Sequence, residues 1–293
     1  MKISVIVPSF NQARYLKATL DSIAAQNYAN LEVRIYDGGS SDGSVKVLRN
    51  HDAKFWWISE KDDGQAAAIN RGLIESSGEI LAFLNSDDVY LPCALSLVAS
   101  YFQRHPDCFV LYGDAYHLNA DGSVMEPYYT ENWNYPRLQE ICYLCQPAVF
   151  WRREVVQRFG LLDESLHFAL DYDYWLRIGK QVPFHYLKNC YLAGSRLHPD
   201  TKTLNQRVRV HREILSVVLK HGGTDAAVQR WLRHLAHYET VAYAGFLPPT
   251  IPDQHFSAPI LVAGILRNAA DFGIRLDVPM LQWLNQHLNA AGF

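Results

Sequence analysis

The chain has 293 residues, enough for one large α/β domain with an appendage or for two small domains. Hydrophobic residues make up 49% and charged residues 19%, which excludes a wholly disordered chain; the net charge of −3 argues against a nucleic-acid binder, which needs a basic face to release counterions. The charge is divided, with nine Lys and Arg against six Asp and Glu from Thr201 onward, a net of +3 that leaves −6 on the first 200 residues.

Ile3 to Val7 is a short apolar run rich in β-branched residues, the mark of a parallel strand buried on both faces. Tyr15 to Ala25 has helical spacing, Leu31 to Tyr36 reads as a strand, and a helical stretch starts over Val45 to Leu48. Phe55 to Ser59 is a strand, Gln65 to Glu75 a helix and Ile80 to Leu84 a strand. This alternation predicts an open, mostly parallel sheet with crossover helices. Leu95 to Gln103 reads as a helix, and Phe109 to Leu118 with Ser123 to Met125 as a hairpin around Asp121-Gly122. Helices are expected over Arg153 to Phe159, Asp171 to Ile178, Asn205 to Lys220 and Ala226 to Phe246. Pro248, Pro249 and Pro252 form a linker before two further short helices.

In open α/β sheets, ligands bind beyond the carboxyl ends of the strands. Four polar clusters fall there: Pro8 to Gln12, Asp37 to Ser44, Asp62 to Gln65 and Asn85 to Asp88. Asp87 and Asp88 suit Mg²⁺ or Mn²⁺, which take oxygen ligands and leave positions for phosphate oxygens; an Asx turn or helix N-cap ahead of Pro92 is the alternative. For Asp37 to Ser44 the choice lies between ligand contact, with Asp37 accepting from a base, and a polar loop in which Asp42 or Ser44 caps a helix. No GxGxxG, GxxxxGK[ST] or HExxH is present. The five cysteines do not read as a disulfide framework, and the lone CxxC of Cys142 and Cys145 reads as buried free thiols rather than a zinc or redox site.

Val7-Pro8-Ser9-Phe10-Asn11, Asp37 to Ser44, Glu60 to Gln65, Asn70-Arg71-Gly72 and Leu84-Asn85-Ser86-Asp87-Asp88 resemble, in order and spacing, the successive motifs of family 2 glycosyltransferases. The resemblance covers roughly residues 1 to 200. It implies a GT-A fold: Rossmann-like, with a mostly parallel central sheet and flanking helices. A catalytic domain is expected over 1–204, with a nucleotide-sugar-binding part (1–105) and an acceptor part (106–204), followed by a helical C-terminal region (205–293). It further implies inverting transfer of a hexosyl or N-acetylhexosaminyl group from a nucleotide diphosphate, usually UDP, with Mn²⁺ or Mg²⁺ between the acidic domain and the anionic donor.

By resemblance, Pro8, Phe10 and Asn11 pack around the nucleotide, Asp37 with Gly38 reads the base, and Asp63, Gly64 and Gln65 lie beside the nucleoside. Asn85-Ser86-Asp87 matches the DxD motif, with Asn85 where the first Asp is common. That leaves Asp87, with Ser86 and Asp88 beside it, as the metal and nucleotide contact. Asp171 matches the catalytic base and Asp173 is the reserve; as alternatives, Asp171 is an N-cap and Asp173 a partner of Arg177. His198 completes the metal shell, and Arg196 or Lys202 neutralises the diphosphate. Gln146, Trp175 and the aromatics Tyr128, Tyr129, Trp133 and Tyr135 are candidates for sugar contact, against ordinary core packing.

A nucleotidylyltransferase would need a glycine-rich basic loop after the first strand, which Pro8 to Gln12 lacks. A non-catalytic nucleotide-sugar-binding protein is the other alternative. No run reaches the roughly 18–20 apolar residues of a membrane span, and Ile3 to Val7 is too short for a signal peptide, so a soluble cytoplasmic protein is expected. The acceptor class implied is a glycan or lipid-linked glycan in surface polysaccharide assembly at the inner face of the membrane. Packing on the catalytic domain, a homodimer interface and a peripheral membrane contact through Pro259 to Leu266 are the roles open to the C-terminal helices.

Overall fold

Short β-branched runs with no polar face need cover on both sides, and the sheet they form organises the fold. A computed structural model describes residues 1–53, 55–245 and 253–290. In chain order the elements are β1 (Ile3–Ser9), α1 (Ala13–Ala24), β2 (Leu31–Asp37), α2 (Ser44–Asn50), β3 (Trp56–Ser59), α3 (Gln65–Glu75), β4 (Ile80–Phe83), β5 (Val89–Tyr90), α4 (Ala94–Arg104), β6 (Val110–Leu118), β7 (Val124–Pro127), α5 (Tyr135–Glu140), β8 (Val149–Arg152), α6 (Arg153–Phe159), α7 (Leu170–Gly179), β9 (His185–Arg196), α8 (Lys202–Asn205), α9 (Arg207–Lys220), α10 (Asp225–Ala244), α11 (Asp253–Asp271) and α12 (Val278–Ala290).

Among the described residues the strands form one sheet in the order β3–β2–β1–β4–β8–β6–β9–β5, with β7 beside β6. The first four are mutually parallel, as are β6 and β9; β8, β5 and β7 run antiparallel to their neighbours. The chain moves outward from β1 through β2 to β3, then returns to the other side of β1 with β4. The crevice beyond the carboxyl ends of β1 and β4 is therefore the topological switch point, where such sheets bind ligands. β1 keeps register with β2 as far as Ser9↔Asp37, but with β4 only as far as Ile6↔Phe83.

One face of the sheet packs on α1 and α4. Val5, Val7, Ala82 and Leu84 meet Leu16, Leu20 and Ile23 of α1 and Leu95, Val98 and Phe102 of α4. The i, i+4 spacing of the buried α1 positions makes this stripe, each large side chain contributing about 1.5–3 kcal/mol. On the other face α3 comes so close that a Cβ at Gly72 would sit 2.5 Å from Ile6, so only glycine fits.

β5, β8 and β9 were not expected from the sequence. β8 has four residues and runs straight into α6 without a turn residue between them. β9 is irregular: its pairing with β6 shifts near Gly113 to Ala115, and Asn189 takes a left-handed φ of 61°.

The chain forms two compact units, Met1–Tyr135 with Cys142–Pro199, and Pro136–Ile141 with Asp200–Phe293. In the second unit, Glu239 of α10 accepts from Arg212 of α9 and from Asn268 of α11, and the Trp231 indole donates to the Gln139 carbonyl. Pro259 to Leu266 lies in α11, burying Val262 and Ile265 and exposing Leu266. α11 and α12, with 19 and 13 residues, are longer than the short helices expected. Pro248, Pro249 and Pro252 lie outside the described residues. No helix among the described residues is long and apolar enough to cross a membrane.

Candidate active site

The loops after β1 and β2 are tied to each other. The Asn11 N–H donates to Ser40 Oγ (2.7 Å), and the Ser41 N–H donates to Asn11 Oδ1 (2.9 Å). Asp37 ends β2 with its carboxylate buried, accepting from the Ser40 N–H, the Ser40 hydroxyl and the Ser59 hydroxyl at 2.6–2.9 Å. Asp42 accepts from the Ala13 N–H at the start of α1 and from the Ser44 N–H at the start of α2. Burial pushes its carboxyl up, but these donors outweigh burial and hold it below the usual range. Asp42 thus satisfies the first N–H of both helices, although the N-cap positions themselves are Gln12 and Gly43. Phe10, 61% exposed, stands out from the first loop.

After β3, Asp63 and Gly64 are exposed, and Gln65 opens α3. Asp62, part of the expected polar cluster but given no role there, lies against Gly38, where a Cβ would be 3.0 Å from its carboxylate oxygen. Burial raises the Asp62 carboxyl, and the charges of Asp37 and Asp63 push it the same way against one donor, the Gly64 N–H.

After β4, the Asp88 N–H donates to the Asn85 carbonyl (3.1 Å), closing a turn with Ser86 and Asp87 at its tip. Asp87 Oδ2 lies 3.0 Å from His198 Nε2, beyond the end of β9. The His198 ring rests on the Tyr15 ring, with centroids 4.4 Å apart. The expected metal residues Asp87 and His198 therefore meet at the switch point. Asp88 turns inward and accepts from the Arg196 N–H (2.8 Å). Burial pushes the Asp88 carboxyl well above the usual range, and so does the charge of Asp87. The Arg196 N–H and the Asn85 and Ser195 side chains pull against this. Among the described residues, no group of three or more His, Cys, Asp or Glu is arranged to hold a metal ion.

Arg196 is not the free cation expected beside a diphosphate. It is buried, and its guanidinium donates to the carbonyls of Asp87, Asn119 and Ala120. Lys202 is exposed at the start of α8, in the second unit. Gln146 is also committed internally, with Nε2 donating to the Phe83 carbonyl (2.7 Å) and Oε1 accepting from Asn85 Nδ2 (3.3 Å).

α7 is buried almost all round, because aromatic and aliphatic residues occupy every face. Asp171, in its first turn, keeps a half-buried carboxylate whose Oδ1 accepts from the Tyr172 N–H (2.8 Å). Asp173 is fully buried and paired with Arg177 (2.8 Å), the structural alternative stated for it. Trp175, expected to touch the acceptor, is fully buried and packs edge-on to Trp151 and Phe184, which corrects that expectation: no face is left for a sugar. Cys145 is buried. Burial raises its thiol first, and the charges of Asp88 and Asp171 both add to that. Both cysteines of the CxxC pair are free thiols; Cys145 is buried as expected, while Cys142 is only partly so.

The sequence profile described as glycosyl transferase family 2 matches residues 4–160, more than half of the chain. The chain belongs to glycosyl transferase family 2. An uncharacterized glycosyltransferase of Rickettsia prowazekii is 27% identical over 233 residues, covering 74% of this chain and 71% of that one. Chondroitin synthase of Escherichia coli is 26% identical over 195 residues, covering 64% of this chain but only 28% of that protein. Among solved structures, residues 1–349 of S. aureus TarS in complex with UDP-GlcNAc superpose with a TM-score of 0.60 at 18% identity, covering 90% of this chain and 82% of that one. The mannosyltransferase PcManGT from Pyrobaculum calidifontis, in complex with GDP-Man and Mn²⁺, gives 0.60 at 18% identity, covering 99% and 86%. These are likenesses of fold, and the fold is that of the GT-A glycosyltransferases.

Sequence reasoning missed three parts of this family 2 glycosyltransferase. Tyr15 under His198 carries no motif. Asp62 was given no role beside its neighbour Asp63, although both are exposed and Asp62 is the one that lies against Gly38. The hydrogen bonds that use up Gln146 and Arg196 are long-range contacts without a local signal. Of the aromatic candidates, Tyr129 is exposed, and Tyr128 packs on His117. Trp133 and Tyr135 lie over Gly179, and Trp133 also lines a cavity of about 460 Å³ with Glu131, Tyr186 and Lys188.

Proposed function

We propose that this chain is an inverting, metal-dependent glycosyltransferase. It moves a sugar from a nucleotide diphosphate donor, UDP favoured, to a hydroxyl of a glycan or lipid-linked acceptor in polysaccharide assembly. The observation that carries the metal reading is the Asp87–His198 pair. Their 3.0 Å separation is about the edge of an octahedron with bonds of 2.1 Å, so both atoms can serve one cation as neighbouring ligands. Two protein ligands leave positions for diphosphate oxygens, and the nitrogen in the pair suits Mn²⁺ better than the harder Mg²⁺. Bound there, the cation would draw charge off the leaving diphosphate.

The chain's own residues carry the remaining steps. Phe10 and the locked loops after β1 and β2 hold the nucleoside, with Asp37 keeping the second loop in shape. Asp171 takes the proton of the acceptor hydroxyl as that oxygen attacks the anomeric carbon. The bond to the nucleotide diphosphate breaks on the opposite side, and the anomeric configuration inverts. Asp171 supports this role because its neighbour Asp173 is already spent on Arg177.

Calorimetric titration of UDP, with and without Mn²⁺, into the wild type and Asp87→Ala tests this reading. The expected result is metal-dependent binding that the variant loses. Equal UDP binding by both proteins in the presence of Mn²⁺ would remove Asp87 from the metal site. No binding of UDP in any arm would move the donor assignment to GDP and dTDP.

A further inference from the structure

Three side-chain amides run in series through the site. Gln65 Nε2 donates to Asn85 Oδ1 (2.8 Å), Asn85 Nδ2 donates to Gln146 Oε1 (3.3 Å), and Gln146 Nε2 donates to the Phe83 carbonyl (2.7 Å). The last bond fixes the direction of the whole series. A carbonyl only accepts, so Gln146 must turn its NH₂ towards Phe83 and its oxygen towards Asn85. Asn85 must then present NH₂ to Gln146 and oxygen to Gln65. The anchor has its own cause. β4 and β8 stay paired only over Ile80↔Arg152 and Leu81↔Trp151, and Gln146 satisfies the Phe83 carbonyl where the two strands part.

We infer that Asn85 is a positioning residue: its amide locks the turn that carries Asp87, and this site requires an amide where related motifs carry aspartate. The inference rests on the reading of Asp87 as a ligand of the metal-bound nucleotide. Asn85 is the first residue of the turn closed by the Asp88 N–H, so tethering its side chain at both ends fixes the direction in which Asp87 leaves the sheet. An aspartate at 85 could still accept from Gln65. Its other oxygen would face Gln146 Oε1, acceptor against acceptor, and Gln146 could not turn without abandoning Phe83. The substitution would also set a third carboxylate beside Asp87 and Asp88. Completing the acidic motif therefore damages the site.

A double-mutant cycle tests this, with Asn85→Asp made in the wild type and in Gln146→Ala, which removes the Gln146 acceptor but leaves the Asp88 carboxylate that the Asn85 side chain also meets. UDP affinity in the presence of Mn²⁺ and the thermal midpoint are both measured. In the wild type, Asn85→Asp is expected to weaken binding by about tenfold or more and to lower the midpoint. In Gln146→Ala, the same substitution is expected to cost at least about threefold less than in the wild type, the remainder being the carboxylate set beside Asp87 and Asp88. Gln65→Leu, which removes one tether at the edge of α3, provides a second variant should Gln146→Ala not fold; it is expected to weaken binding while the protein stays folded. Asn85→Asp binding as tightly as the wild type at an unchanged midpoint overturns the inference, and so does an equal loss in both backgrounds. If the wild type binds no nucleotide, the proposed donor fails, and the cycle in thermal midpoint still decides whether Gln146 makes an amide necessary at 85.

Discussion

At the amino ends of the parallel strands, Glu32 of β2 is surrounded by donors: Ser4 Oγ from β1, the Ser77 N–H and hydroxyl from before β4, and Arg34. Burial pushes its carboxyl up, but these donors prevail and hold it at about 2. At the carboxyl ends the balance is reversed for Asp62 and Asp88, where burial and neighbouring carboxylates outweigh the few donors and the carboxyls are raised. Asp42 is the exception at that end, held low by the Ser44 hydroxyl and by the Ala13 and Ser44 N–H groups at the starts of two helices. Both ends collect carboxylates, but at the carboxyl ends donors satisfy Asp37 and Asp42 while Asp62 and Asp88 have too few to offset burial and their neighbours' charge.

The largest effect expected from disturbing the ligand-facing side is on rate. Asp171→Asn should lower kcat by about 10²- to 10⁴-fold, with thermal stability and donor binding little changed, as read by steady-state kinetics and calorimetry. A fully active variant would return the base to another residue. Asp173 gives the contrast on the same helix. Asp173→Ala leaves Arg177 without its buried partner and should cost about 3 kcal/mol of stability in denaturant unfolding, whatever it does to activity. Next comes the cation. With Mn²⁺ and UDP at about a hundred times the Kd, the wild type should gain about 2.7 kcal/mol, seen as a higher thermal midpoint, and Asp87→Ala should gain nothing.

The smallest effect belongs to the amino end. Because the folded protein holds Glu32 below its ordinary value of 4.5, its contribution is present above that pH and is lost as pH falls towards about 2. Glu32→Gln should cost about 1–2 kcal/mol at neutral pH and less as the pH falls through that window. The gap between the unfolding curves of variant and wild type should therefore narrow in acid; a gap independent of pH would make Glu32 a packing residue only.

β1 to β4 were legible because each is a short apolar run stopped by a polar or breaking residue, Pro8, Asp37, Glu60 and Asn85 in turn, and their polar clusters did gather at one edge of the sheet. Asp87 with His198 could be named because motifs place them, although 111 residues separate the two. What the sequence did not carry was commitment. Arg196, Gln146 and Trp175 are the right residue types for diphosphate or sugar, but contacts with distant backbone and core have already claimed them. The aromatic and acidic residues of α7 read as a site motif, whereas burial on every side makes most of them packing and leaves Asp171 as the helix's half-buried carboxylate. β9 was missed for the opposite reason: its register shifts erase the alternation by which a strand is recognised.

The register of β1 carries one more consequence. Ile80 and Leu84 donate their N–H groups to the carbonyls of Lys2 and Ile6, so every second residue of β1 faces β4. The next in that series is Pro8, which has no N–H to give. On the β2 side the ladder runs on to Ser9, while on the β4 side it stops at Ile6. The sheet is thus unzipped at its centre by a covalent ring, and the mouth of the crevice needs no bound ligand to stay open. Any other residue at position 8 could offer β4 one more rung and begin to close it.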